Sequence, residues 1–331
     1  MKKISICASL FILVSCAYEP ADELTIYTSR QPQLIEPIVE KFSLETGIKV
    51  NFLSGNAQEL MERIDVEGDS SPADIFMTVD AGVLWQAAER DIFSSTNSKI
   101  LEENIPPYLR DPENKWFGLS KRARTIVYSN DQFNDNDFST YEDLADPKWK
   151  GKLCLRTSKK VYNRSLMASM IDAYGFEKAK EVVRGWISNL ATEVFSNDTN
   201  ALKAVSSGQC GLTIVNTYYL ARLLDDPQYD NLTLFWANQS DRGVHVNISG
   251  AGIVKTSKNK QAATILLEYL SSEKAQDFYA SANKEYPVLD GAMVHASIKD
   301  WGEFIEDNIN VGKLGSLQKE AVFLAQEVGY K

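Results

Sequence analysis

Short apolar runs alternate with helical-period segments from residue 24 onward, and this alternation constrains the fold more than any other feature. Leu24 to Thr28 reads as a strand. Leu34, Ile35, Ile38, Val39 and Phe42 then recur at helical spacing up to Gly47, which suits a helix end. Ile48 to Leu53 is the next strand, Gln58 to Val66 the next helix and Asp74 to Val79 a third strand, after which Asp80 caps a helix through Arg90. A βαβαβ order implies a parallel sheet with right-handed crossovers. The middle of the chain repeats the pattern. Lys152 to Arg156 is a strand and a helix runs on through Ala173, followed by an amphipathic helix from Phe176 to Leu190. Asp198 caps a helix from Asn200 to Ser206, and Leu212 to Val215 is the next strand. Thr125 to Ser129 and Val244 to Val254 flank this second unit and read as strands that pass between two lobes. The expected fold class is therefore α/β with two lobes, parallel-rich sheets flanked by helices, two hinge crossovers and a cleft between the lobes. Lobe 1 is expected in residues 24–124 plus about 250–300, lobe 2 in 125–249 plus about 301–331, with hinge strands near 125–129 and 244–254.

Charge and the N-terminus narrow the setting. The net charge of −10, with no basic stripe, argues against a nucleic-acid partner. Lys2 and Lys3 precede an apolar stretch from Ile4 to Val14, too short to span a bilayer and suited to a secretory signal over residues 1–15. Leu13-Val14-Ser15-Cys16 resembles the lipobox of bacterial lipoproteins. That resemblance implies cleavage before Cys16, lipid on this cysteine, a tether over residues 16–23 and a periplasmic or cell-surface protein anchored to the membrane. An ordinary signal peptide with an incidental cysteine is the plainer alternative. Loss of the two lysines takes the charge from −10 to −12. Export leaves Cys154 and Cys210 as a pair in an oxidising compartment. Each lies in or beside a strand, so a disulfide between neighbouring strands is expected, with two buried thiols as the alternative.

Both of those strands lead into tyrosines. Asn216 looks like a helix cap after the second strand, and Thr217 to Leu224 like the helix it starts, which puts Tyr218 and Tyr219 at a strand-to-helix junction. Tyr162 follows the first strand in the same way. Three phenol oxygens at strand ends suit a hard, highly charged cation, although adjacent tyrosines at a helix start commonly serve packing alone. Only two histidines are present, His245 and His295, in unrelated contexts, which argues against a histidine-rich zinc or copper site. No phosphate loop, Ser/His/Asp order or close carboxylate pair stands out, so an enzyme is the least favoured class.

A set of motifs carries a family resemblance. They are Leu24-Thr-Ile-Tyr-Thr-Ser-Arg, Pro72-Ala-Asp-Ile-Phe-Met-Thr-Val-Asp, Gly118-Leu-Ser-Lys-Arg-Ala-Arg-Thr-Ile-Val-Tyr, Val161-Tyr-Asn-Arg-Ser-Leu, Asn216-Thr-Tyr-Tyr and Val244-His-Val-Asn-Ile-Ser-Gly-Ala-Gly. In this order the chain resembles the periplasmic ferric-ion-binding proteins of ABC transporters, most closely the iron-deficiency-induced branch. The resemblance implies a class II periplasmic-binding-protein fold that captures Fe(III) and delivers it to an ABC permease. It places Tyr162, Tyr218 and Tyr219 at the family's metal-binding positions and Arg122 at that of a cleft arginine. Where relatives often carry His-Tyr after Tyr-Thr-Ser-Arg, this chain has Gln31-Pro32, so the first lobe loses its usual hold on the metal. Arg122 and Arg124 alternate along a strand and are candidates to hold carbonate or another small anion against the metal, with Gln31 in a supporting place. The expected protein is a monomer. The alternatives are the same fold binding a small organic anion without metal, and a signalling or adhesion module outside transport.

Overall fold

The computed structural model describes residues 23–331. The expected signal sequence, Cys16 and nearly all of the tether lie outside the described residues. Eight strands form one sheet: β1 (Glu23–Thr28), β2 (Lys49–Ser54), β3 (Ile75–Thr78), β4 (Phe117–Ser129), β5 (Leu153–Cys154), β6 (Leu212–Asn216), β7 (Leu232–Phe235) and β8 (Val246–Ile253). Their spatial order is β2-β1-β3-β8-β4-β6-β5, with β7 also paired to β4.

The N-terminal unit follows the sequence pattern. β1 pairs in parallel with both β2 and β3. The helices Glu36–Thr46, Ala57–Glu67 and Ala81–Glu89 follow β1, β2 and β3 in turn. Gly47 ends the first of these helices with φ 77°, a conformation that costs glycine little. Asp80 caps the third by accepting from Val83 N at 3.2 Å. Leu24, Ile26, Ile38, Phe42, Ile75 and Phe76 are fully buried between sheet and helices. This burial is the main stabilising term of the unit.

The sheet is mixed rather than parallel-rich. The pairs β1–β2, β1–β3 and β5–β6 are parallel, whereas every pair that involves β4 or β8 is antiparallel. The alternating units dictate parallel neighbours within themselves, but the two long strands that join the units run against their neighbours. β4 begins at Phe117, eight residues before the apolar run that announces it. Ser120, Lys121, Arg122 and Arg124 precede that run and break the apolar pattern, yet all of β4 is buried. Its first part, Phe117 to Ala123, pairs with β8, and from Arg124 onward it pairs with β6. β8 lies flush on its surroundings through Gly250, where a Cβ would come 2.8 Å from Leu84 Cδ1.

Cys154 and Cys210 form a disulfide with a Cα separation of 5.9 Å. It ties β5 to the entry of β6, which are parallel neighbours. The helices that follow, Val161–Tyr174 and Thr217–Ala221, carry the tyrosines. The second is shorter than the pattern suggests and ends at Ala221, with Arg222 at its C-cap. Asp198 is not a cap. Asn197 takes that role, accepting from Asn200 N at 2.8 Å, and Asp198 is the first helical residue.

A tyrosine cluster ringed by arginines

The strand-to-helix turns after β5 and β6 bring Tyr162 and Tyr218 together, with their hydroxyl oxygens 3.4 Å apart. The rings of Tyr218 and Tyr219 lie with centroids 4.3 Å apart. Tyr218 is buried, whereas Tyr162 and Tyr219 are half-buried and give the cluster an open side. Burial pushes the Tyr218 phenol well above its ordinary value; Tyr162 and Tyr219 add to this, and Arg122 opposes it. Burial likewise raises Tyr219, with Tyr162 as the next cause. Without a cation the Tyr218 and Tyr219 phenols are therefore neutral, and a metal that takes them as phenolates must displace their protons.

Arginines surround the phenols. The guanidinium carbons of Arg122 and Arg156 lie 5.7 and 4.9 Å from the Tyr162 ring centre, and that of Arg222 lies 4.8 Å from the Tyr218 ring centre. Arg122 Nη2 donates to the Val79 and Ile248 carbonyls, while its buried Nε has no partner. That donor is left unused by the protein.

Arg124, expected from the sequence to hold an anion as well, has no such spare donor. Its side chain is 1% exposed, and all three of its nitrogens donate to Asn163, Asp198, Asn216 or the Ile214 carbonyl. Strand alternation puts Arg122 and Arg124 on one face, but the partner change at Ala123 gives them different surroundings. Gln31 is not drawn into the cluster either. It is exposed at the start of the Pro32–Leu34 turn, and its Oε1 accepts from Gln33 Nε2 at 2.9 Å.

Several contributors were not assigned from the sequence. Arg156 pairs with Asp198 at 2.9 Å, and both are buried. The signal was a charged residue closing the apolar run Leu153-Cys-Leu-Arg. Arg30 is buried and pairs with Glu285 at 2.7 Å, although 255 residues separate the two. Ser120 Oγ also donates to Glu285, at 2.6 Å. Burial alone would raise the Glu285 carboxyl, but Arg30 and Arg122, with these hydrogen bonds, hold it below the usual range. Because the folded value is depressed, this stabilisation is complete above the unfolded value of about 4.3 and is lost as pH falls through the folded one. Glu285→Gln is expected to flatten the acid limb of the Tm–pH curve below about pH 4. An acid limb of unchanged slope would count against this assignment.

His245 is buried, and neither ring nitrogen has a partner. Burial, followed by Arg242, Arg124 and Arg122, drives its pKa well below the ordinary value. Among the described residues, no group of three or more His, Cys, Asp or Glu side chains is placed to hold a metal.

The family model for bacterial extracellular solute-binding proteins matches residues 27–277. The chain belongs to this family. It is 45% identical to iron uptake protein A1 of Synechocystis, over 97% of this chain and 93% of the relative. Among solved structures, Trichodesmium FutA in complex with iron and citrate ligands superposes with a TM-score of 0.90 at 42% identity, covering 93% of this chain and 100% of that one. Mannheimia haemolytica ferric iron-binding protein A in an open conformation gives 0.86 at 40% identity, covering 94% and 99%. The solute-binding protein thus has the class II fold that the sequence motifs imply.

Proposed function

We propose that this solute-binding protein captures Fe(III) on Tyr162, Tyr218 and Tyr219, completes the metal's coordination with a small anion held beside Arg122, and delivers it to an ABC permease. The observation that carries the reading is the 3.4 Å approach of the Tyr162 and Tyr218 hydroxyls within a ring of arginines. Three phenolates cancel the charge of a ferric ion, and hard oxygens suit it. Three oxygens leave an octahedron half filled, and Gln31-Pro32 offers no replacement from the N-terminal unit. Arginines near the phenols repel a bare trivalent cation, and an anion between them offsets that repulsion. That Trichodesmium FutA, a similar protein, is in complex with iron and citrate ligands supports a ligand of iron with a small anion for this chain. Closure of two lobes about β4 and β8, an exported location and a lipid anchor at Cys16 belong to this reading. The protein works by binding and release, without catalysis.

Titration with Fe(III) in carbonate- and citrate-free buffer, and then with each anion restored, tests the proposal. Tight binding and a red or orange phenolate-to-iron charge-transfer band are expected only with an anion present. Equal affinity without any anion would refute the anion's part, and a colourless protein in every buffer would refute the iron. The arginine ring also suits a small organic anion alone, and calorimetry with citrate and no iron separates that reading.

A further inference from the structure

We propose that Arg124 is a positioning residue that preassembles the three phenols before any metal arrives; this rests on the iron reading above. Its guanidinium is a buried hub with three arms. Nε and Nη2 both donate to Asn163 Oδ1, at 3.0 and 2.7 Å, and Asn163 adjoins Tyr162. Nη1 donates to Asn216 Oδ1 at 3.1 Å, where β6 hands over to the helix that carries Tyr218 and Tyr219. Nη1 and Nη2 both reach Asp198 Oδ1 at 3.2 Å. The other oxygen of Asp198 holds Arg156, which lies over the Tyr162 ring. Asn163 Nδ2 closes the ring by donating to the Arg156 carbonyl at 2.8 Å.

The backbone of the hub is held as firmly as its side chain. Arg124 N donates to the His245 carbonyl at 3.0 Å, and the Tyr141 hydroxyl donates to the Arg124 carbonyl. The planar fork of arginine fixes the angles between its partners, which a lysine ammonium does not. Burying a charge is not needed for stability, since an apolar residue of similar volume commonly serves as well. What the arginine adds is a fixed spacing between segments that lie far apart in the sequence. Asn163 and Asn216 accordingly act as braces on the tyrosines and not only as helix-start residues.

The test uses the full chain with Arg124→Lys, Asn163→Ala and Asn216→Ala. Each variant is checked for folding by circular dichroism and melting, then titrated with ferric citrate. Neither asparagine variant changes the buried charge; Asn216→Ala cuts one arm alone, while Asn163→Ala also removes the bonds to the Arg156 carbonyl and the Tyr330 hydroxyl, and together they decide the matter if Arg124→Lys does not fold. Folded variants are expected to bind iron about 10–100-fold more weakly, as when groups that orient metal ligands are lost, with a displaced charge-transfer band. A lower Tm with unchanged band and affinity would show that Arg124 serves stability alone and would overturn the proposal. A wild-type control that takes up no iron would overturn the iron reading, and this proposal with it, and is distinguished by that control.

Discussion

The double variant Tyr218→Phe/Tyr219→Phe is expected to fold normally and to stay colourless after loading with ferric citrate. Phenylalanine keeps both rings, so the 4.3 Å ring contact and the position of Arg222 over residue 218 are retained. The hydroxyl of Tyr218 has one protein partner, the Tyr162 hydroxyl at 3.4 Å, and removing it strands no buried carboxylate or carbonyl. The cost to the fold is therefore small, on the order of one ordinary hydrogen bond. The cost to the metal site is large, because two of the three anionic donors disappear together with the charge that neutralises the ion. Losing a group that merely orients a ligand costs about 10–100-fold in metal affinity, so losing two ligands is expected to cost on the order of a hundredfold or more. Spectrophotometric titration followed by desalting measures both colour and retention. A variant that keeps its colour and its iron would eliminate Tyr218 and Tyr219 as ligands.

The parts of this molecule that were legible in the sequence are those set by local periodicity. The βαβαβ start, the stop at Gly47 and the cap at Asp80 all follow from residues near one another in the chain. The convergence of Tyr162 and Tyr218 was legible because each follows a strand, and Cys154 and Cys210 mark those strands as neighbours. The sheet's direction was not, because β4 hides its first half behind polar and charged residues that pair only with distant partners. Arg124 shows the same limit at a single position. A charged residue on an apparent strand face looks free to hold an anion until Asn163, Asp198 and Asn216 are seen to occupy it. Asp198 reads as a cap because aspartate favours helix starts, and only the fold shows that its carboxylate is taken by two arginines. Arg30 and Glu285 meet across almost the whole chain, and no spacing rule could pair them.

Asp198→Asn is expected to be the most destabilising conservative substitution in the cluster. The residue is fully buried, and its two oxygens serve two guanidiniums, Arg124 at 3.2 Å and Arg156 at 2.9 Å. Asparagine keeps the shape, but it removes the one negative charge between two buried cations and turns a donor toward one of them. Removing one partner of a buried pair costs about 3–5 kcal/mol, which corresponds to a fall in Tm of roughly 10 °C for a chain of this size. Glu193→Gln is the matched control. Glu193 pairs with Lys331 at 3.1 Å, but both side chains are mostly exposed, and no measurable change is expected. The same charge argument gives a second readout. With Asp198 neutral, the Arg156 guanidinium that lies over the Tyr162 ring is uncompensated, so the folded variant should attract anions more strongly than the parent. Citrate should then raise the Tm of Asp198→Asn by more than it raises that of the parent, through preferential binding to the folded state. Equal citrate shifts in the two proteins would mean that the Arg124–Asp198–Arg156 charge is not felt at the phenols and would confine Asp198 to holding the fold.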